Sequence, residues 1–202
     1  MRRFGLFFSC ILFATGAAAH AQVVPAATSR SVSVTAGGVA TVLQPDYAGA
    51  WTNTSPYYPI AGASTWPLFG VGAYVDVKLK KWVQFEAEAR FNRFNQYANI
   101  HEDSYLIGPR LPVYRFWKAT VYGKGLVGFT SMDLGPTPVA CTTHCEVTGR
   151  FTDVAFGGGL DIKLTRRLSF RAADIEYHYW PTWGRTSLSP YGAAMGFGYR
   201  VF

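Results

Sequence analysis

Apolar side chains recur at every second residue through most of this chain, and the positions between them carry the charge. From 69 to 79 the odd positions are Phe69, Val71, Ala73, Val75, Val77 and Leu79. The even ones are Gly70, Gly72, Tyr74, Asp76 and Lys78. A period of two sends successive side chains to opposite faces of a strand, so this segment is read as a strand with two unlike faces. The pattern repeats with Val83, Phe85, Ala87, Ala89 and Phe91 against Gln84, Glu86, Glu88 and Arg90. It continues with Tyr105, Ile107, Leu111 and Val113 against Leu106, Gly108, Arg110 and Tyr114, then with Val121, Val127 and Phe129 against Tyr122, Lys124 and Leu126. Val154, Phe156, Leu160, Ile162 and Leu164 oppose Asp153, Gly157, Gly159, Asp161 and Lys163.

Between Leu168 and Tyr179 the parity breaks. Ser169 and Arg171 share a face with Asp174, Glu176 and His178 only if one residue is extra, which predicts a β-bulge at Ala172-Ala173. A last strand runs from Leu188 to Phe202, and a first, less regular one covers Val32 to Gln44. Eight strands result. The links between them alternate in length. Pro45 to Thr65, Asn92 to Asp103, Thr130 to Arg150 and Trp180 to Ser187 are long; Lys80-Lys81, Arg115 to Trp117 and Thr165 to Arg167 are short. Loops at one rim and tight turns at the other are the rhythm of an up-and-down meander.

Composition narrows the class. The chain of 202 residues is 49% hydrophobic and only 15% charged, against about 25% charged in an average soluble domain. Low charge with high apolar content excludes disorder. No apolar run beyond residue 21 is long enough for a spanning helix, which needs roughly 18 residues. Residues 1–21 read as a secretory signal peptide: Arg2 and Arg3, an apolar stretch from Phe4 to Ala19, and a small-x-small site at Ala19-His20-Ala21. Residues 22–202 then form the barrel domain. Cys141 and Cys145 are expected to close a local disulfide in an oxidising compartment. The alternative, a metal site with His144 between them, lacks a fourth ligand.

Alternation alone does not say which face is outside, because a soluble barrel alternates too. Three features point to lipid. None of the apolar-face positions named above is Asp, Glu, Lys or Arg, and a charge at mid-bilayer costs ~2–4 kcal/mol. The polar face is rich in glycine (Gly70, Gly72, Gly108, Gly128, Gly157, Gly159), which suits a crowded interior. Aromatic residues gather near strand ends, as in the girdles of spanning barrels. Trp82, Trp117, Phe129, Tyr177, Tyr179, Trp180 and Tyr199 are expected at the lipid interface. The fold class expected is therefore all-β, an eight-stranded antiparallel up-and-down transmembrane β-barrel. Closure is required because an open edge is not tolerated in lipid.

With this rhythm, the leader and the terminal strand Met195-Gly196-Phe197-Gly198-Tyr199-Arg200-Val201-Phe202, the chain resembles the small outer-membrane β-barrels of the OmpA-like and opacity-type class. The resemblance implies a bacterial outer-membrane location and contact with outer-membrane lipid and lipopolysaccharide. It also implies recognition by the barrel assembly machinery through Phe197, Tyr199 and the terminal Phe202, although Phe202 falls one step off the parity of Tyr199 and Val201. Cell-wall anchoring through a following peptidoglycan-binding domain is not carried over.

The inward charges suggest what the interior does. Lys78, Arg90, Arg110, Lys124, Lys163 and Arg171 balance Asp76, Glu86, Glu88, Asp161, Asp174 and Glu176. In an eight-stranded barrel side chains roughly fill the interior, so these twelve are expected to pair as a plug. The alternative is a narrow path lined by charged rings. A lipid A-modifying enzyme is a third reading. Its best cluster, His101-Glu102-Asp103-Ser104, alternates between faces, so no catalytic residue is assigned. No cofactor and no metal are expected. The basic charge, formally +7, is dispersed without a stacking platform, which argues against nucleic acid. A Val77→Arg or Ile162→Arg change is expected to block assembly, and Gly159→Ser to be milder.

Overall fold

The computed structural model describes residues 32–45, 67–79, 83–94, 100–133, 148–181 and 187–201. Its strands are β1 (Ser33–Gln44), β2 (Leu68–Lys78), β3 (Gln84–Asn92), β4 (His101–Phe116), β5 (Ala119–Asp133), β6 (Thr148–Lys163), β7 (Leu168–Tyr179) and β8 (Tyr191–Arg200). Each pairs with its sequence neighbour, and β1 pairs with β8, so the eight strands form a closed barrel. Every pairing is antiparallel. The seam runs from Thr35↔Arg200 to Gln44↔Tyr191, which leaves no open edge.

Closure matters physically because backbone groups in hydrocarbon have no water to bond. The side chains sort accordingly. Ile107, Phe156, Ile175 and Met195 stand outward with more than half their surface uncovered by protein. On a soluble monomer such a continuous apolar band would be an aggregation liability; in a bilayer it is the lipid face. Among the described strand residues, outward charges occur only toward the long-loop ends, at Asp103, Asp133 and Arg150.

Two bulges re-aim side chains. One falls between Arg171 and Asp174 in β7, where the sequence alternation required an extra residue. It turns both Arg171 and Asp174 inward, 3.1 Å apart. The other, between Pro112 and Tyr114 in β4, departs from the expected alternation of Leu111 and Val113 against Arg110 and Tyr114. It pairs Arg115 with Thr120, on the parity of Tyr122 and Lys124, so Arg115 faces inward in place of Tyr114, which is exposed. The strands also reach further into the long connections than expected: β5 continues to Asp133 and β6 begins at Thr148. The β4–β5 turn is tight, with Trp117 at a left-handed φ of 50°.

Candidate functional site: the lumen network

The inward side chains form layers along the barrel axis. Nearest the short turns, Arg110 from β4 spans Asp76 of β2 at 2.6 Å and Asp161 of β6. Arg171 from β7 reaches Glu86 of β3 at 2.8 Å and Asp76 at 3.3 Å. Both guanidinium groups sit over tyrosine rings, Arg110 over Tyr122 at 3.6 Å and Arg171 over Tyr74 at 3.7 Å. Such stacking adds cation–π attraction where the charge is desolvated.

The glycines of the inward face make this stacking possible. A Cβ on Gly37 would collide with the Tyr74 ring and one on Gly198 with the Tyr74 hydroxyl, and one on Gly159 would meet the Ala173 carbonyl and lie 2.6 Å from the Tyr122 hydroxyl. Gly159 is therefore not a permissive position. A serine there has to displace the Tyr122 ring or the Ala173 carbonyl, so Gly159→Ser carries a cost of its own.

The middle layer is centred on Lys124 from β5, whose side chain is 0% exposed. Its ammonium lies 2.8 Å from Glu86, 3.1 Å from Glu88 and 2.7 Å from Asp174, and it also pairs with Glu176. Arg90 joins from β3, bonding Glu88 at 3.2 Å and pairing with Glu176. The carboxylates of Glu86, Glu88 and Asp174 converge closely enough to hold a metal ion. Lys124 already supplies the cation at their centre.

Toward the long loops the chemistry becomes less charged. His178 Nδ1 sits 2.9 Å from Asp153, Thr130 donates to the same carboxylate at 2.7 Å, and His178 Nε2 lies 3.2 Å from Glu176. Beside them Asn92 donates to Glu102, and Thr41 donates to Asn92 at 2.6 Å. Above this layer Leu43, Leu68, Ile100, Met132, Phe151, Trp180 and Leu188 are all buried. Phe151 and Trp180 stack with ring centroids 6.2 Å apart and planes 7° from parallel.

The lumen thus gathers Asp76, Glu86, Glu88, Arg90, Arg110, Lys124, Asp161, Arg171, Asp174 and Glu176 into one connected set. It does not include Lys78 and Lys163. These are the last residues of β2 and β6, and neither forms an ion pair among the described residues. At the short-turn mouth Lys163 is exposed and Lys78 half-buried, so both retain contact with water and need no buried partner. The expected balance of six and six is corrected with them: Glu102 and Asp153 add acids, while the buried permanent cations are Arg90, Arg110, Lys124 and Arg171.

The aromatic residues divide. Phe129 is outward and continues an aromatic series from Phe91, which meets Tyr105 edge to face, to Tyr105, which meets Phe129 at a tilt of 32°, with Arg150 4.7 Å above the Phe129 ring. Tyr177 and Tyr179 are outward at the long-loop end. Near the short turns Phe197 packs on Phe170, and Tyr199 accepts a hydrogen bond from Arg167 at 3.1 Å. Trp117, at the hairpin tip, is 88% exposed. Trp180 is a correction: it is 0% exposed and belongs to the apolar cap. Its parity follows His178, so it points inward. Trp82, Phe202, Cys141 and Cys145 lie outside the described residues. In the His101–Ser104 segment, Glu102 and Ser104 are buried, whereas Asp103 points outward and pairs with Arg93 through a 2.7 Å bond from Nε.

A closed antiparallel barrel with an apolar outer band and a charged, filled interior is a transmembrane β-barrel. The chain belongs to the outer membrane protein beta-barrel domain family, whose model matches residues 8–200. Its fold is similar to that of neisserial surface protein A, with a TM-score of 0.52 at 11% identity over 84% of this chain and 96% of that one. It is also similar to OprG from Pseudomonas aeruginosa, with a TM-score of 0.53 at 13% identity over 84% of this chain and 95% of that one. At such identities the likeness is one of fold. A search among curated proteins finds no match.

Proposed function

We propose that this barrel is a rigid outer-membrane scaffold that acts at the cell surface through its long loops and does not conduct through its lumen. The observation that carries the reading is the Lys124 ammonium, fully buried and held by carboxylates from β3 and β7. Its partners arrive from both sides of β5 in sequence, so the contacts cross the space an aqueous path would need. The apolar cap under the long connections adds a second closure. Large aqueous lumens belong to barrels of about 16 strands or more.

On this reading export uses the N-terminal signal, and the C-terminal strand with Phe197, Tyr199 and Phe202 engages the assembly machinery. The outward aromatics at both strand ends sit at the two lipid interfaces, with lipopolysaccharide around the long-loop end. The lumen charges serve rigidity rather than catalysis. Planar-bilayer recording of the refolded full chain tests this. No steady openings are expected, and ohmic steps reproducible between preparations would favour the narrow-channel alternative. Surface labelling of whole cells tests the orientation: cysteines in the long connections react from outside, and those in the short turns do not.

A further inference from the structure

The strands that run toward the short-turn end are β2, β4, β6 and β8, and each carries a basic residue at or next to its last position: Lys78, Arg115, Lys163 and Arg200. All four lie on inward parity. Lys78 follows Tyr74 and Asp76, Lys163 follows Asp161, and Arg200 follows Gly198, whose missing side chain leaves room for the Tyr74 hydroxyl. Arg115 joins only because of the β4 bulge, which pairs it with Thr120. Lys78 is within electrostatic reach of Arg115, Lys163 and Arg200 together.

None of the four forms an ion pair among the described residues. The nearest inward carboxylates, Asp76 and Asp161, are already held by Arg110 and Arg171. Four like charges around one opening repel each other, and salt alone screens them only in part. Rings of Lys and Arg are the usual lining of anion and phosphate pathways. Here the lumen above the ring is filled, so the ring closes a cup and not a filter.

We propose that the short-turn mouth is a binding site for a compact, multiply charged anion of the phosphate class, held by Lys78, Arg115, Lys163 and Arg200. The outer-membrane orientation places this site on the periplasmic side, where short turns lie. Two sources share the chemistry: a free phosphate compound and the headgroup of an anionic phospholipid in the adjoining leaflet.

The test is titration calorimetry of the full chain with inorganic pyrophosphate at low salt, in zwitterionic detergent. Single-site binding that weakens with added salt is expected. Each neutralised ring residue weakens it about fivefold, and Lys78→Gln with Arg200→Gln about twenty-five-fold. Arg166→Gln, in the β6–β7 turn and outside the ring, leaves affinity unchanged. Heat-modifiable gel mobility confirms that each variant keeps its barrel. Nanodiscs distinguish the sources: pyrophosphate binding lost in phosphatidylglycerol discs but kept in phosphatidylcholine discs identifies the lipid headgroup, and binding kept in both identifies the free anion. Absence of pyrophosphate binding by the wild type, or an equal loss in Arg166→Gln, overturns the proposal. Conductance plays no part in this readout, so its failure is distinct from that of the blocked lumen.

Discussion

Lys124 and Lys163 share residue type and inward parity, yet their surroundings are opposite. Lys124 is fully buried among carboxylates from two strands; Lys163 stands exposed at the short-turn mouth with no acidic partner among the described residues. The difference is depth. A charge at the barrel's middle cannot keep its water and must be paid for with partners. A charge at the end of a strand stays hydrated, and the sequence around it is under no demand to supply one. Inward parity therefore selects which residues see the axis, and depth along the strand decides which of them join the plug.

The largest expected effect removes the deep member of this comparison. Lys124→Met leaves Glu86, Glu88, Asp174 and Glu176 without their central cation, and a broken buried network costs about 3–5 kcal/mol. Unfolding by guanidinium in lipid vesicles measures it. Trp180→Ala opens a cavity in the cap and costs about 3–5 kcal/mol in the same assay. Tyr179→Ala, on the neighbouring outward position, costs clearly less; equal losses would return Trp180 to the lipid interface.

A third change probes the other face. Ile107 pairs with Ala87 and Val127 far from either rim, so Ile107→Arg costs about 2–4 kcal/mol and lowers the yield of folded barrel. Gly159→Ala presses on the Tyr122 ring beneath Arg110 and costs about 1–3 kcal/mol. The smallest effect closes the comparison: Lys163→Met changes stability by no more than about 0.5 kcal/mol. A loss there as large as at Lys124 would mean that the mouth charges belong to the plug after all.

Much of this organisation is legible in the sequence because a strand's period of two is rigid. The strands, their antiparallel order and the inward sets of β2, β3 and β7 follow from alternation alone. The extra residue at Ala172-Ala173 betrays itself because Arg171 and Asp174 are both charged and would otherwise fall on opposite faces. The β4 bulge sets Arg115 on the same face as Arg110, the same kind of mark, but Arg115 reads as the first residue of the short link, where parity carries no meaning. Depth along a strand leaves no trace in alternation: parity alone groups Lys78 and Lys163 with the buried ions, and the structure places them at the mouth. Trp180 shows a different failure. Counting by twos from His178 turns it inward, but its place at a strand end suggested a girdle, and the stack on Phe151 shows that the count was the better guide. Asn92 and Glu102 fall within a link the sequence assigns to a long connection, while Asp153 and His178 read as inward strand residues whose pairing across β6 and β7 alternation does not specify.

The claim on which the rest depends is that the lumen is filled at its middle and open only at its short-turn mouth. Thiol reactivity resolves this by depth. In a background with Cys141 and Cys145 replaced by serine, single cysteines are placed at Ala155 and Ala194, small inward positions that are buried, and at Lys78 and Lys163. A charged, membrane-impermeant thiol reagent is then applied to the folded barrel in lipid vesicles opened on both sides. Rapid modification at Lys78→Cys and Lys163→Cys with protection of Ala155→Cys and Ala194→Cys until unfolding is the expected result. Comparable rates at all four positions would mean a water-filled lumen and would contradict the plug.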